Sequence, residues 1–287
     1  MKRIYVSLIC LAVSAIAFSQ SLNTGNAASG KIKLINGQKI VVESSTEIEA
    51  SLAMGMQLNS TSSAVNALEV KNSTSGNYTV SNTLTKLKMN TDMMGQANNY
   101  DSENKAGNNE EMSKIFDEKL NKPVDITIDN TTGLAVVENK KQKQADVDET
   151  NATSDIMKIF SDNTSDDAIV SGAFEMVPKG KGIGDSWADS TTGKDMKTIR
   201  TYTLKSISGN EALIQSNVVS TAINKLNFQE MEFEVKSETK TNGEIVTDIS
   251  TGLVKKRTSV ADITGSIQMM GQDMPISAKA TSTNTYK

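Results

Sequence analysis

The chain is 287 residues long and contains no histidine, one cysteine, three prolines, one tryptophan and few aromatic residues. Without histidine there is no Ser-His-Asp triad, no ordinary zinc site and no imidazole base working near neutral pH. Carboxylate pairs and Ser-Lys dyads remain open to such a chain, but no convincing pair stands out, and a non-enzymatic protein without cofactor or metal is expected. The one cysteine, Cys10, lies in an apolar run near the start.

That run extends from Ile4 to Phe18 behind Lys2 and Arg3, with Ala17 and Ser19 at the −3 and −1 positions of a cut before Gln20. The pattern predicts a secretory signal peptide over residues 1–19. It is shorter than the roughly 20 apolar residues a transmembrane helix needs, and no later stretch approaches that length. Cys10 lacks the small preceding residue of a lipidation site, so it reads as part of the signal. Residues 20–287 then hold no cysteine, which excludes disulfides, a thiolate nucleophile and cysteine metal sites. Without Lys2 and Arg3, 28 basic residues face 34 acidic ones. A mildly acidic surface does not suit nucleic acid, whose binding requires neutralised phosphates. Arg200 and Arg257 are the arginines that remain. Bidentate recognition of phosphate or carboxylate is therefore not expected to be the main role.

What is present is alternation. From Ile40 to Leu58 apolar residues fall on even positions (Ile40, Val42, Ile48, Leu52, Met54, Met56, Leu58) and Glu43, Glu47 and Glu49 on odd ones. Period two predicts a half-buried strand, bent or broken near Ser44–Thr46 or Gly55 because it is long for a straight one. The stretch 76–89 follows a Ser-Gly-Asn turn, and its apolar phase slips between Leu84 and Leu87, as a bulge requires. Residues 122–139 read as a hairpin turning at Asp129–Gly133, and 200–220 as one turning at Ser208–Asn210. Four more strands are predicted after 228, with turns at Asn242-Gly243, Ser250–Gly252 and Gly271–Asp273. The period changes to helical in 109–120, with Asn108 or Asn109 as cap, and again in about 153–177. The expected architecture is α+β and mainly β: a curved antiparallel sheet or half-open barrel with a few central helices. It reads as a single domain over 20–287, with a β half at about 27–139, a helical insert at about 140–178 and a second β half at about 180–287.

The order "GNYTV", "YDSEN", "KPVDITID…TGLAVVE", "GIGDSW", "YTLKSISGN", "EIVTDISTGLVKK" and "MMGQDMPI" resembles an uncharacterised family of exported Bacteroidota proteins, the domain of unknown function DUF6263. The resemblance implies a β-rich fold and a place in the envelope of a Gram-negative bacterium, periplasmic or associated with the outer membrane. It implies no activity.

Thirteen methionines lie after Met1, and Met-Met-Gly-Gln occurs twice, at 93–96 and 269–272. This repeat reads as a structural echo of equivalent hairpin ends in two related β halves. Thioethers are soft ligands for Cu(I), yet no histidine or cysteine accompanies them, and a flexible filler of a curved sheet is the blander reading. Between these stands a Met-lined concavity that adapts to varied apolar ligands. The candidate ligand-binding residues are Leu52, Met54, Met56, Leu58, Trp187, Met269, Met270, Met274 and Ile276. "KGKGIGDSW" (179–187) lacks the phosphate-loop pattern and reads as a turn delivering Trp187 onto the sheet. The acidic stretches 146–151 and 161–167 lack the glycine and closing glutamate of a calcium loop. The expected function is an exported, non-enzymatic envelope protein binding a lipid, a lipidated segment or another apolar ligand. The alternative is a structural or interaction module with a filled core and an envelope protein as partner. A copper(I) carrier and a carboxylate hydrolase are further readings.

Overall fold

The computed structural model describes residues 32–51, 57–93, 95–135, 166–193, 195–228, 231–269 and 272–287. The signal-peptide reading and most of the helical insert lie outside these residues. In chain order the elements are β1 (Lys39–Ser51), β2 (Gln57–Ser73), β3 (Asn77–Met93), β4 (Gln96–Asp101), helix α1 (Glu110–Asp117), β5 (Pro123–Asp129), helix α2 (Asp166–Gly172), β6 (Ser186–Thr192), β7 (Met196–Ser208), β8 (Glu211–Phe228), β9 (Met231–Asp248), β10 (Val254–Met269) and β11 (Gln272–Tyr286). All strands join one antiparallel sheet in the order β4-β3-β2-β1-β11-β10-β9-β8-β7-β6, with β5 also on β3. The sheet is not closed into a barrel. The fold is mainly β with two helices among the described residues, as the alternation implied.

Period two decides the inner face. In β1 the even residues Ile40, Val42, Ile48 and Ala50 are buried while odd ones stay exposed. The predicted strand from Ile40 to Leu58 is corrected to a hairpin, since Ser51 pairs with Gln57 and β2 returns beside β1. Alternation continued across the connection, so phase alone could not show the reversal. The turn proposed at Asn242-Gly243 is likewise corrected: both residues lie within β9, Asn242 pairing with Asn217 on one side and Val260 on the other. Three strands, not four, follow residue 230. A Cβ on Gly243 would stand 2.6 Å from the Thr258 carbonyl oxygen, so here glycine permits close strand approach. The phase slip at Leu84–Leu87 is a bulge, with Val65 opposite Lys86 and Asn66 opposite Leu84.

Helix α1 begins at Asn109, whose side chain accepts from the amides of Glu111 (2.9 Å) and Met112 (3.2 Å). Its apolar stripe packs Met112 and Phe116 onto Leu87, Met89 and Tyr100. A larger cluster joins β1, β2, β3, β5, β7, β8 and β9 with Ile32, Val170 and Phe174 at the opposite end of the sheet.

That end is shaped by two turns of one design. "DNTTGL" (129–134) and "DISTGL" (248–253) lie 119 residues apart. In the first, Asp129 Oδ1 accepts from the amides and hydroxyls of both Thr131 and Thr132. In the second, Asp248 Oδ1 accepts the same four bonds from Ser250 and Thr251. Gly133 and Gly252 close them with φ of 74° and 73°. Each turn also follows a strand paired with one that leaves a Ser-Gly-Asn turn: Asn77 faces Asp129, and Glu211 faces Asp248. The unit β2-β3-β5 thus repeats as β7-β8-β9. Met-Met-Gly-Gln marks hairpin ends too, Met93 pairing with Gln96 and Met269 with Gln272, but in non-equivalent places.

The neighbouring residues Ile32 and Lys33 donate their amides to opposite turns, Ile32 to Asn130 O (2.7 Å) and Lys33 to Thr251 O (3.2 Å). Between β5 and β10 lie β3, β2, β1 and β11, a span of roughly 24 Å in a flat sheet. The sheet must curl to bring both turns to one dipeptide.

Two outcomes are expected. A Cβ on Gly133 would sit 2.9 Å from Phe174 Cβ and 3.0 Å from Ile32 Cδ1. Gly133→Ala should therefore cost about 2 kcal/mol in urea unfolding, and an unchanged midpoint would refute the tight clasp. Burial would raise the Asp248 carboxyl, but the bonds from Ser250 and Thr251 outweigh it and hold it down at about 2. A depressed folded value gives stability above the ordinary 3.8 that is lost as pH falls through about 2. The difference in unfolding midpoint between the native protein and Asp248→Asn should accordingly shrink between pH 5 and pH 2, by about the strength of this one group; a constant difference would show that the carboxylate is not the cause.

Candidate functional site

The inner face is graded along the strands. Toward the clasped turns it is the large apolar cluster with Trp187 and Tyr202 stacked at 5.6 Å. Toward the hairpin ends it is apolar again, with Ile48, Ala50, Leu58, Val235, Ile263, Ile267, Ile276 and Ala278 buried. Among and between these stand buried polar residues: Asn66, Asn82, Thr198, Arg200, Thr239 and Asn284.

Two ion pairs occupy this face. Arg200 Nη1 donates to Asp189 Oδ1 at 2.8 Å and to Thr191 Oγ1 at 3.2 Å. Arg257 Nη2 donates to Glu175 Oε2 at 3.2 Å. Both arginines thus reach the interior, where the sequence suggested no central role for them. The phase of β7 contained the signal, since Arg200 alternates with exposed Ile199 in step with Tyr202 and Leu204. Burial pushes the Glu175 carboxyl up, against the pull of Arg257, and the charges of Asp189 and Arg200 also reach it. Burial likewise raises the Tyr202 hydroxyl, and lifts Tyr286 to about 12. Asp189 and Thr191, two residues apart on β6, thus both serve Arg200.

Asn66 Oδ1, Asn82 Oδ1 and Thr239 Oγ1 meet no hydrogen-bond partner among the described residues. A buried polar atom left so costs roughly 1–3 kcal/mol, and native interiors satisfy nearly all of them with protein, water or ligand. Asn82 Nδ2 donates to Asp166 Oδ1 at 2.5 Å, and burial raises the Asp166 carboxyl.

Of the residues singled out from sequence, Leu52, Met54, Met56 and Met270 lie outside the described residues. Leu58 and Ile276 are buried on the inner face, each 3% exposed. Leu58 stands opposite Ala50, and Ala50 opposite Ala278, two residues from Ile276. Met274 stands opposite Ile267, and Met269 ends β10 opposite Gln272. These form one neighbourhood at the hairpin ends. Trp187 shares their face but belongs to the cluster at the other end; there "KGKGIGDSW" acts as the expected turn, Gly184 N donating to Leu204 O at 2.8 Å. Hollows of about 680 and 310 Å³ open instead among outward side chains, the first beside Lys197, Ile223 and Lys236, the second beside Glu47, Glu49 and Asp92. No helix among the described residues is long and apolar enough to cross a membrane.

Comparison with solved structures finds lipovitellin ("lipid-protein interactions in lipovitellin") at 14% identity and a TM-score of 0.48. The match covers 89% of this chain, which spans about a quarter (25%) of that one. The Pseudomonas aeruginosa protein OccK5 (OpdH) follows at 7% identity and TM-score 0.25, over 87% of this chain and 98% of that one. An outer membrane channel from Pseudomonas putida F1 matches at 7% identity and 0.23, over 92% and 100%. No curated protein sequence matches. A family model does match, across residues 75–254, from the Ser-Gly-Asn turn before β3 to the end of the second clasp turn. The chain belongs to the family of unknown function DUF6263.

Proposed function

We propose that this protein is a non-enzymatic binding protein of the cell envelope that takes an apolar or amphipathic ligand, a lipid or a lipidated segment, on the inner face of its curled sheet. The observation that carries this reading is the graded inner face: apolar side chains at the hairpin ends and, farther along the same face, buried oxygens of Asn66, Asn82 and Thr239 without a partner among the described residues. An amphiphile has that same division of surface. Burial of its acyl part would supply the affinity at about 25 cal/mol per Å², with no covalent step.

The distribution of methionine agrees. Met93, Met196, Met231, Met269 and Met274 all stand at the hairpin-end limits of their strands, so the topology gathers them at one end of the sheet. Thioether side chains adapt to ligands of varied shape. The burial of Leu58 and Ile276 favours the second reading, an interaction module whose interior is already filled.

One experiment separates the two. The protein is purified without detergent from its own envelope fraction, and an organic extract is analysed by mass spectrometry. The binding reading expects an apolar molecule near one equivalent per chain. A clean extract from folded protein would overturn it in favour of the interaction module.

A further inference from the structure

Asn66 in β2 and Asn82 in β3 are diagonal neighbours on the inner face, because Leu68 stands opposite Asn82 and Leu84 opposite Asn66. Their exposures are 1% and 0%. The bond from Asn82 Nδ2 to Asp166 Oδ1 fixes the orientation of that amide: its nitrogen faces the carboxylate, and its oxygen is left as an acceptor. Asn66 Oδ1 is a second acceptor without a donor among the described residues. Two amide oxygens and a carboxylate therefore gather around β2, β3 and the start of α2, and Asn82 Nδ2 is committed to that carboxylate. Lys119 acts on Asp166 through its field.

Such a group of oxygens is complementary to N–H and O–H groups. An anionic head placed there would set its own lone pairs against the Asp166 carboxylate and the two amide oxygens. Among the described residues, Arg200 is engaged with Asp189 and Arg257 with Glu175, and the charge of Lys119 is set against Asp166. We propose that Asn66, Asn82 and Asp166 form a head-group site that selects an amphiphile whose head donates hydrogen bonds and carries no negative charge, in chemical class a monoacylglycerol rather than a fatty acid. This rests on the binding reading above and gives it an orientation: the hydroxyls of the head lie on the amides of β2 and β3, beside Leu68 and Leu84.

The test uses the neutral fluorescent probe N-phenyl-1-naphthylamine, displaced from the purified protein by monoolein or by oleate, which share one acyl chain and differ in the head. Monoolein is expected to displace the probe at about tenfold lower concentration, the worth of one well-made hydrogen bond to a buried acceptor. Asn66→Leu, or Asn66→Ala where the larger side chain does not fold, should abolish that preference while probe uptake persists. If the probe enters but oleate displaces it as well as monoolein does, or the preference survives in the variant, the head-group assignment is overturned and the binding reading stands. If the probe does not enter, both fall.

Discussion

The arrangement depends on one main-chain constraint: consecutive amides of Ile32 and Lys33 are bonded to carbonyls of two turns that a flat sheet would hold far apart. An antiparallel sheet of this width twists of its own accord, but twist alone does not fix where its arms meet. The dipeptide fixes it. Around it, Tyr78 donates its hydroxyl to Ile32 O, Glu175 N donates to Gly252 O and Val254 N to Ala173 O, so the segment after α2 is held against the second turn. Glu175 is thereby placed for Arg257. The clasp and the charged interior are parts of one construction.

That the two turns are copies explains why the clasp closes neatly. Each is an aspartate accepting four bonds from the two hydroxyl residues that follow, with a left-handed glycine behind them. Similar local chemistry gives similar carbonyl positions, and the two can hold neighbouring residues of one chain between them. The first copy carries an insertion: where β9 runs unbroken beside β8, the partner of β3 is divided into β4 and β5, and α1 lies between. That helix covers the inner face at Leu87 and Met89, so the two arms of the sheet are not equivalent inside.

The interior is costly for a protein of this kind. Buried ion pairs seldom repay their desolvation in full, and unpartnered amide oxygens repay nothing unless something donates to them. An apolar set of side chains would fold such a sheet more stably. The presence of arginine, carboxylate and asparagine on the inner face is the ground for proposing a binding role rather than a purely structural one.

Much of this was legible in the sequence. Alternation in "KIVVESSTEIEAS" determined which side chains of β1 turn inward, the slip at Leu84–Leu87 determined the bulge, and Asn109 with Met112 and Phe116 determined α1, because each depends on neighbours within a few residues. The Ser-Gly-Asn and Asp-to-Gly turns were visible for the same reason. The reversal between Ser51 and Gln57 was not visible, because a connection that preserves the apolar phase looks like more strand. Nor was the continuity of β9 through Asn242-Gly243, where the turn-like pair is required by the approach of Thr258 across the sheet. The sequence by itself determined which side chains of the alternating stretches turn inward and where most of the turns fall, since these follow from local periodicity and hydrogen bonding. Only the tertiary structure decided that Arg257 meets Glu175, that Asn82 meets Asp166 and that Ile32 joins the two halves, since those contacts link residues whose separation in the chain carries no local signal.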